Sequence, residues 1–232
     1  MKNLLLLLFL FLMVSCAKKE RDLTVKGQIE GLKKGTIYLK KANDSTLVNV
    51  DSLVINGSSE FELYGDLDSP EVFFLYLDKN SSENDRITFF ADKGITEINT
   101  TLKNFVFDAK INGSEQQKKL EEYQLIIARL NGQNLDLIKE NFEAQKNGDT
   151  TKLDRIQKQY DNTIKRKYLY TVNFALNNKD SEIAPYLALT EIYNAKVSFL
   201  DTINNSLTPK VKSSKYGKEL QRFIDDIKIS EK

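Results

Sequence analysis

Apolar and polar residues alternate along the first half of the chain and recur every three or four positions along the second. Leu23, Val25, Gly27 and Ile29 alternate with polar neighbours, which predicts a first strand. A tight turn at Gly31-Leu32-Lys33-Lys34-Gly35 leads to Ile37 and Leu39 in a second strand. Asn43-Asp44-Ser45 turns again, and Leu47 to Ile55 reads as a third strand. Asn56-Gly57 between apolar runs is a hairpin signal of the type I′ kind. Phe61 and Leu63 carry a fourth strand, Pro70 opens Val72 to Leu77, and Lys79 to Asp85 is a polar loop. Ile87 to Ala91, Thr96 to Asn99 and Phe105 to Ile111 complete about eight strands, the spacing of a small sandwich.

The character changes at Asn112-Gly113-Ser114, beyond which only Gly132, Gly148 and Gly217 remain of the glycines. Ser114 with Gln117 forms a capping box that opens a helix through Leu120, Tyr123, Ile127 and Leu130. Gly132 is expected to interrupt this helix before Leu135, Ile138 and Phe142 resume its pattern, and Gly148 to end it with a left-handed cap. A second long helix starts at Thr150 or Thr151 and carries Leu153, Ile156, Tyr160, Ile164, Tyr168 and Val172 on one stripe. Shorter helices follow over Ser181–Asn194 and Phe199–Leu207, with a stop at Thr208-Pro209 and a last amphipathic helix from Ser214 to Ile229. Strands followed by helices mean an α+β chain: a small antiparallel β-sandwich, then an all-helical region packed on it.

Val72-Phe73-Phe74-Leu75-Tyr76-Leu77 breaks the alternation, because it is apolar on both faces. Such a strand is covered on both sides. One side is expected to be sandwich core and the other to lie under the helices. The competing reading makes Phe73, Phe74 and Tyr76 an aromatic face for a ligand or partner.

The N-terminus shows where the chain resides. Lys2 precedes an apolar run of eleven residues, Leu4 to Val14, then Ser15 and the only cysteine, Cys16. The run is too short for the ~20 residues that span a bilayer. A charged start, an apolar stretch and a small residue before the cleavage point make a signal peptide. A cysteine at the first mature position makes it a lipoprotein signal, with Met13 where such signals commonly have Leu. Cys16 is therefore the expected site of diacylglyceryl and palmitate-type acylation, and the membrane is the first expected partner. The expected layout is a signal peptide over 1–15, a lipidated tether over 16–22, a β-sandwich over 23–112 and a helical region over 113–232. Lys18-Lys19-Glu20 lacks an acidic run of the surface-export kind. The expected location is thus the cell envelope, at the outer membrane and facing the periplasm.

Composition narrows the chemistry. There are 34 basic and 33 acidic residues, and the leader carries only Lys2, so the rest balances. A balanced chain lacks the basic surplus that nucleic acid binding needs. With no histidine there is no imidazole base and no histidine metal site. With Cys16 acylated, no thiolate or dithiol remains. No cofactor, no metal and no catalytic residue is expected, though carboxylate and lysine chemistry stay open. Val50-Asp51-Ser52 reads as a strand-end hydrogen bond or a ligand contact. Asp225-Asp226 with Glu219 reads as a solvated helix face or a site for a hard cation. Lys165-Arg166-Lys167 beside Tyr168 and Tyr170 reads as the wet side of a helix or a patch for anionic groups, and Tyr160 and Tyr168 as core or near-core residues.

Several segments carry a resemblance. Val25-Lys26-Gly27-x-Ile29-x-Gly31-Leu32, Gly35-x-Ile37-Tyr38-Leu39, Val50-Asp51-Ser52 and Gly57 to Phe61 are similar to the domain-of-unknown-function family 4369. So are Asn112-Gly113-Ser114, Asp180-Ser181-x-x-Ala184-Pro185-Tyr186 and Leu207-Thr208-Pro209-x-Val211-Lys212-x-Ser214-x-Tyr216-Gly217. The resemblance implies a β-rich module and a helical region, of the kind found in lipoproteins of Bacteroidetes-type bacteria. Many members continue into a thioredoxin-like domain with Cys-x-x-Cys. This sequence runs to Lys232 without a second cysteine, so that redox activity is not expected to carry over. The leading expectation is a non-catalytic, membrane-anchored binding or scaffolding module with an envelope protein partner. The alternatives are an accessory to a separate thioredoxin-like thiol–disulfide system and a carboxylate-only hydrolase such as a glycosidase.

Overall fold

The computed structural model describes residues 21–43, 46–78 and 85–231. The alternating half folds into β1 (Leu23–Glu30), β2 (Lys34–Asn43), β3 (Thr46–Asn56), β4 (Glu60–Gly65), β5 (Glu71–Leu77), β6 (Arg86–Ala91), β7 (Gly94–Thr101) and β8 (Lys110–Asn112). These strands make two four-stranded sheets, ordered β4-β1-β7-β8 and β3-β2-β5-β6. Leu23, Val25, Leu63 and Ile98 of the first sheet meet Ile37, Leu39, Phe73, Leu75 and Phe89 of the second in a core where each is fully buried. Large apolar side chains from two facing sheets are what hold a sandwich together.

Three expectations about the strands need correcting. The pairs are antiparallel with one exception: β1 and β7 run parallel, from Leu23↔Gly94 to Glu30↔Thr101. A side chain at Gly27 would collide there with the carbonyl of Ile98, so glycine is what lets the two backbones pair. Asn56-Gly57 does not close a hairpin within one sheet. β3 pairs with β2 and β4 with β1, so the turn carries the chain across the sandwich from one sheet to the other. Finally, Phe105 to Ile111 is not a full strand. Residues 102–108 are wound into turns in which the Thr100 hydroxyl donates to the Phe105 carbonyl (2.8 Å) and that of Thr101 to Asp108 (2.7 Å). Local side-chain bonds of this kind compete with a sheet ladder.

The helical half comprises α1 (Glu115–Asn147), α2 (Thr150–Asn177), α3 (Ile183–Glu191), α4 (Val197–Ser206), α5 (Pro209–Lys212) and α6 (Lys215–Ser230). α1 runs unbroken through Gly132, which is exposed and touches nothing beyond the helix. Its 33 residues span ~50 Å at 1.5 Å per residue. Gly148 ends it in the left-handed conformation (φ 66°), and Asp149 caps α2 by accepting from the Lys152 N–H (2.9 Å). Thr208-Pro209 is not a plain stop, because Pro209 starts the single turn of α5. Gly217 lets α6 pass close to the Val211 carbonyl. Leu200, Ile203, Leu220 and Ile224 fill the core of this half.

The two halves share an apolar interface. Val72 and Phe90 of the second sheet pack with Leu120, Tyr123, Ile183, Leu187 and Tyr216 of the helices. Directional bonds fix it. The Val72 N–H donates to the Tyr216 hydroxyl (3.0 Å) and the Phe90 N–H to Gln117 Oε1 (2.9 Å). The capping box is therefore half formed. Ser114 Oγ accepts from the Gln117 N–H (3.0 Å), but the Gln117 side chain turns away to satisfy edge strand β6. Asp92 supplies the other cap, accepting from the Glu115 N–H (2.6 Å) and the Ser114 hydroxyl (3.2 Å). Glu71, buried at the sheet rim, accepts from Lys41 (2.8 Å) and from Lys215 of α6 (2.6 Å). Among the described residues, no helix is long and apolar enough to cross a membrane.

Candidate functional site

The outer face of the second sheet is where the expected aromatic face must be sought. Strand alternation sends Phe73, Leu75 and Leu77 into the core and Phe74 and Tyr76 outward. Phe73 is fully buried and stacked on Phe89 (centroids 6.1 Å apart), so it belongs to no ligand face. β5 is covered along most of both sides, with Phe74 half-buried beside the helical cluster and Tyr76 buried.

Register arranges the outer face in rows. Val72 sits opposite Phe90, and this row lies under the helices. The next row is Lys40–Phe74–Thr88 and the one after it Tyr38–Tyr76–Arg86. These two rows carry half-buried Tyr38, Lys40, Phe74 and Arg86 and exposed Thr88. The two cations cross between the rows. Lys40 Nζ lies 4.7 Å from the Tyr76 ring centre and 5.5 Å from that of Tyr38. The Arg86 guanidinium sits 4.3 Å over Phe74 and 5.9 Å from the Tyr76 ring, and its Nη1 donates to the Tyr76 hydroxyl (2.8 Å). Cation–ring contacts of this kind contribute about 0.5–2 kcal/mol each, more as water is excluded.

The helices border this face with tyrosines. Tyr186 packs edge-on against Phe90 (5.3 Å) and Tyr216 (5.2 Å). Burial pushes the Tyr186 hydroxyl above the usual phenol range, while the positive charge of Arg86 pulls the other way. Burial likewise raises Tyr216 and Tyr123, the latter held to Thr171 (2.8 Å). All three rings are neutral at neutral pH, so the tyrosines themselves add no charge, while Glu191, whose charge acts on Tyr186 and Tyr123, is paired with Lys167 (2.9 Å).

The other sequence candidates go to separate places. Asp51 links the edges of the two sheets. Its carboxylate accepts from the Ser52 N–H (2.8 Å) and the Tyr64 N–H of β4 (2.8 Å), so it is a backbone hydrogen-bonding residue, but in the middle of β3 rather than at a strand end. Asp225 accepts from Gln221 one turn away (3.0 Å). Among the described residues, no three His, Cys, Asp or Glu side chains converge to hold a metal ion. Lys165 and Arg166 face solvent, and Lys167 pairs with Glu191 (2.9 Å). Tyr168 donates to Asn194 (2.8 Å) at the edge of the helical core, whereas Tyr160 is exposed rather than near-core. Tyr170 stacks on Tyr123 (5.7 Å). Cys16 lies outside the described residues.

Sequence reading passed over Tyr38, Lys40 and Arg86. Their outward direction was visible, since Ile37 and Leu39 alternate with Tyr38 and Lys40. The register that sets Lys40 beside Phe74 and Tyr76 beside Arg86 was not.

Residues 23–120 match the model of a family described as Domain of unknown function (DUF4369). The β-rich domain of this chain is a DUF4369 domain. The match takes in both sheets and the start of α1, so the row of the DUF4369 domain that the helices cover and the two rows next to it all fall within it. No curated protein and no solved structure matches the chain.

Proposed function

We propose that this protein is a non-catalytic binding module, held on the cell envelope by a lipid on Cys16 and facing the periplasm at the outer membrane. The observation that carries the binding role is the half-covered outer face of the second sheet. The helices cover one row and flank Phe74, and leave half-buried Tyr38, Lys40 and Arg86 and exposed Thr88 beside them around buried Tyr76. A rigid strand floor with cations fixed over rings is a preorganised surface, and preorganisation lowers the cost of binding. The lipid anchor rests on the leader and Cys16. The carboxylate-only hydrolase gains no support from Glu182. Burial raises its carboxyl above the usual range, but the side chain is enclosed and bonded to Gln116 (3.0 Å).

A photo-reactive residue in place of Thr88, on the open face, tests the reading in intact cells. An adduct is expected from Thr88 and not from Glu60, an exposed residue of the first sheet. Equal capture from both positions, or none from Thr88, would refute a binding role for this face.

A further inference from the structure

Two positive charges converge on one ring. Lys40 Nζ and the Arg86 guanidinium both lie within 6 Å of the Tyr76 centre, at 4.7 and 5.9 Å. Among the described residues neither has a carboxylate partner. Like charges brought together over apolar rings repel one another, and an anion set between them relieves the repulsion.

We propose that this face binds a small molecule that carries a carboxylate or phosphate on a planar, apolar body. The oxyanion would be held by Lys40 and Arg86, and the body would lie on Tyr38, with Phe74 backing the Arg86 guanidinium (4.3 Å). This rests on the binding-face reading above and adds the ligand class. Arg86 is prepared for the task. One N–H is committed to the Tyr76 hydroxyl (2.8 Å), which fixes the fork and leaves its other donors free to meet two oxygens at once. Size decides against a protein partner as occupant. The four strands of this sheet, ~4.8 Å apart, and two rows ~7 Å apart give a floor of about 14 by 7 Å, with exposed Ser52 and Asn49 of β3 beside Tyr38 and Lys40. A stable protein interface buries ~800 Å² on each side, whereas one ring and one anionic group fit within this floor.

Calorimetry on the full-length protein in neutral detergent, with phenyl phosphate as probe, tests the inference. Benzyl alcohol supplies the body without the charge, and inorganic phosphate the charge without the body. Phenyl phosphate should bind at least about tenfold more tightly than either, as the loss of one charge-assisted hydrogen bond implies. Arg86→Gln and Lys40→Gln should each weaken it by about tenfold, Arg86→Lys by less, and Lys26→Gln on the first sheet should leave it unchanged. Benzyl alcohol binding as tightly as phenyl phosphate, or phenyl phosphate binding that ignores Arg86→Gln, would overturn the anionic class. If no probe binds while the Thr88 adduct forms, the ligand class fails and the binding face stands. If neither is seen, both fail.

Discussion

Tyr216→Phe removes a single oxygen from the seam between the two halves. The Tyr216 hydroxyl accepts from the Val72 N–H at 3.0 Å, across 144 positions of sequence, and the residue is 8% exposed. Phenylalanine keeps the ring and its edge-on packing with Tyr186 (5.2 Å) and Phe90 (5.8 Å), so the change isolates the hydrogen bond. A buried donor left without a partner costs about 1–3 kcal/mol. For a chain of this size 1 kcal/mol moves the melting temperature by roughly 2–4 °C. Urea denaturation should therefore show a loss of ~1–3 kcal/mol with an unchanged slope. Hydrogen exchange at the Val72 amide should quicken in step. The hydroxyl is held above the usual phenol range by burial, so it stays protonated in the folded chain after its unfolded counterpart ionises near pH 10. Its contribution is full below that pH and falls as pH rises further, so the variant should lose stability less steeply above pH ~10. A loss under ~0.5 kcal/mol, with Val72 still protected, would mean that the hydroxyl does not hold the two halves together.

Phe73→Ala should cost ~3–5 kcal/mol in the same assay, because the ring is fully buried against Phe89; Phe107→Ala, at a residue 93% exposed, should stay within ~0.5 kcal/mol, and similar losses from both would contradict the core assignment. Glu182→Gln should stabilise the protein at pH 7 relative to pH 4. Its raised carboxyl contributes stability below the unfolded value and loses it as pH climbs through the folded one, and a difference that stays flat between those pH values would count against the buried carboxyl. On the lipid-anchor proposal, Cys16→Ala should abolish incorporation of a labelled palmitate analogue and leave the leader uncleaved, so an acylated variant would refute it. The purified protein should show no reduction of insulin disulfides above background, since Cys16 is the only cysteine in these 232 residues.

Much of the architecture was legible because it follows from local rules. Alternation located β1, β2 and β4, and the change of period at Asn112-Gly113-Ser114 falls between the last strand and the first helix. Ser114, Gly148 and Ser214 stand at helix ends because their side chains or backbone conformations suit those positions. What failed was non-local. The parallel pairing of β1 with β7 leaves no mark on either strand alone. Asn56-Gly57 has the residues of a hairpin turn, and only the partners chosen by β3 and β4 show that it crosses between sheets. Gln117 matches the capping box, but the unpaired edge of β6 competes for its side chain. The candidate site was half visible for the same reason. Phe74 and Tyr76 drew notice as an apolar run, while Lys40 and Arg86 acquire meaning only when register brings them to the same ring.

The placement of β1 governs the order in which this chain can assemble. β1 leaves the N-terminus first, yet its parallel partner β7 lies 71 positions later, with the whole second sheet encoded between them. The central strand of the first sheet therefore waits, one edge unpaired, until β2, β3, β5 and β6 have been made. The helical hairpin of α1 and α2 joins neighbours in sequence and needs no such wait. Contacts between distant residues pay loop-closure entropy before any reward, so they set the pace of folding. The pairing of β1 with β7 is therefore expected to form more slowly than the helical hairpin, and the Val72 N–H can donate to Tyr216 only once β5 and α6 are both in place.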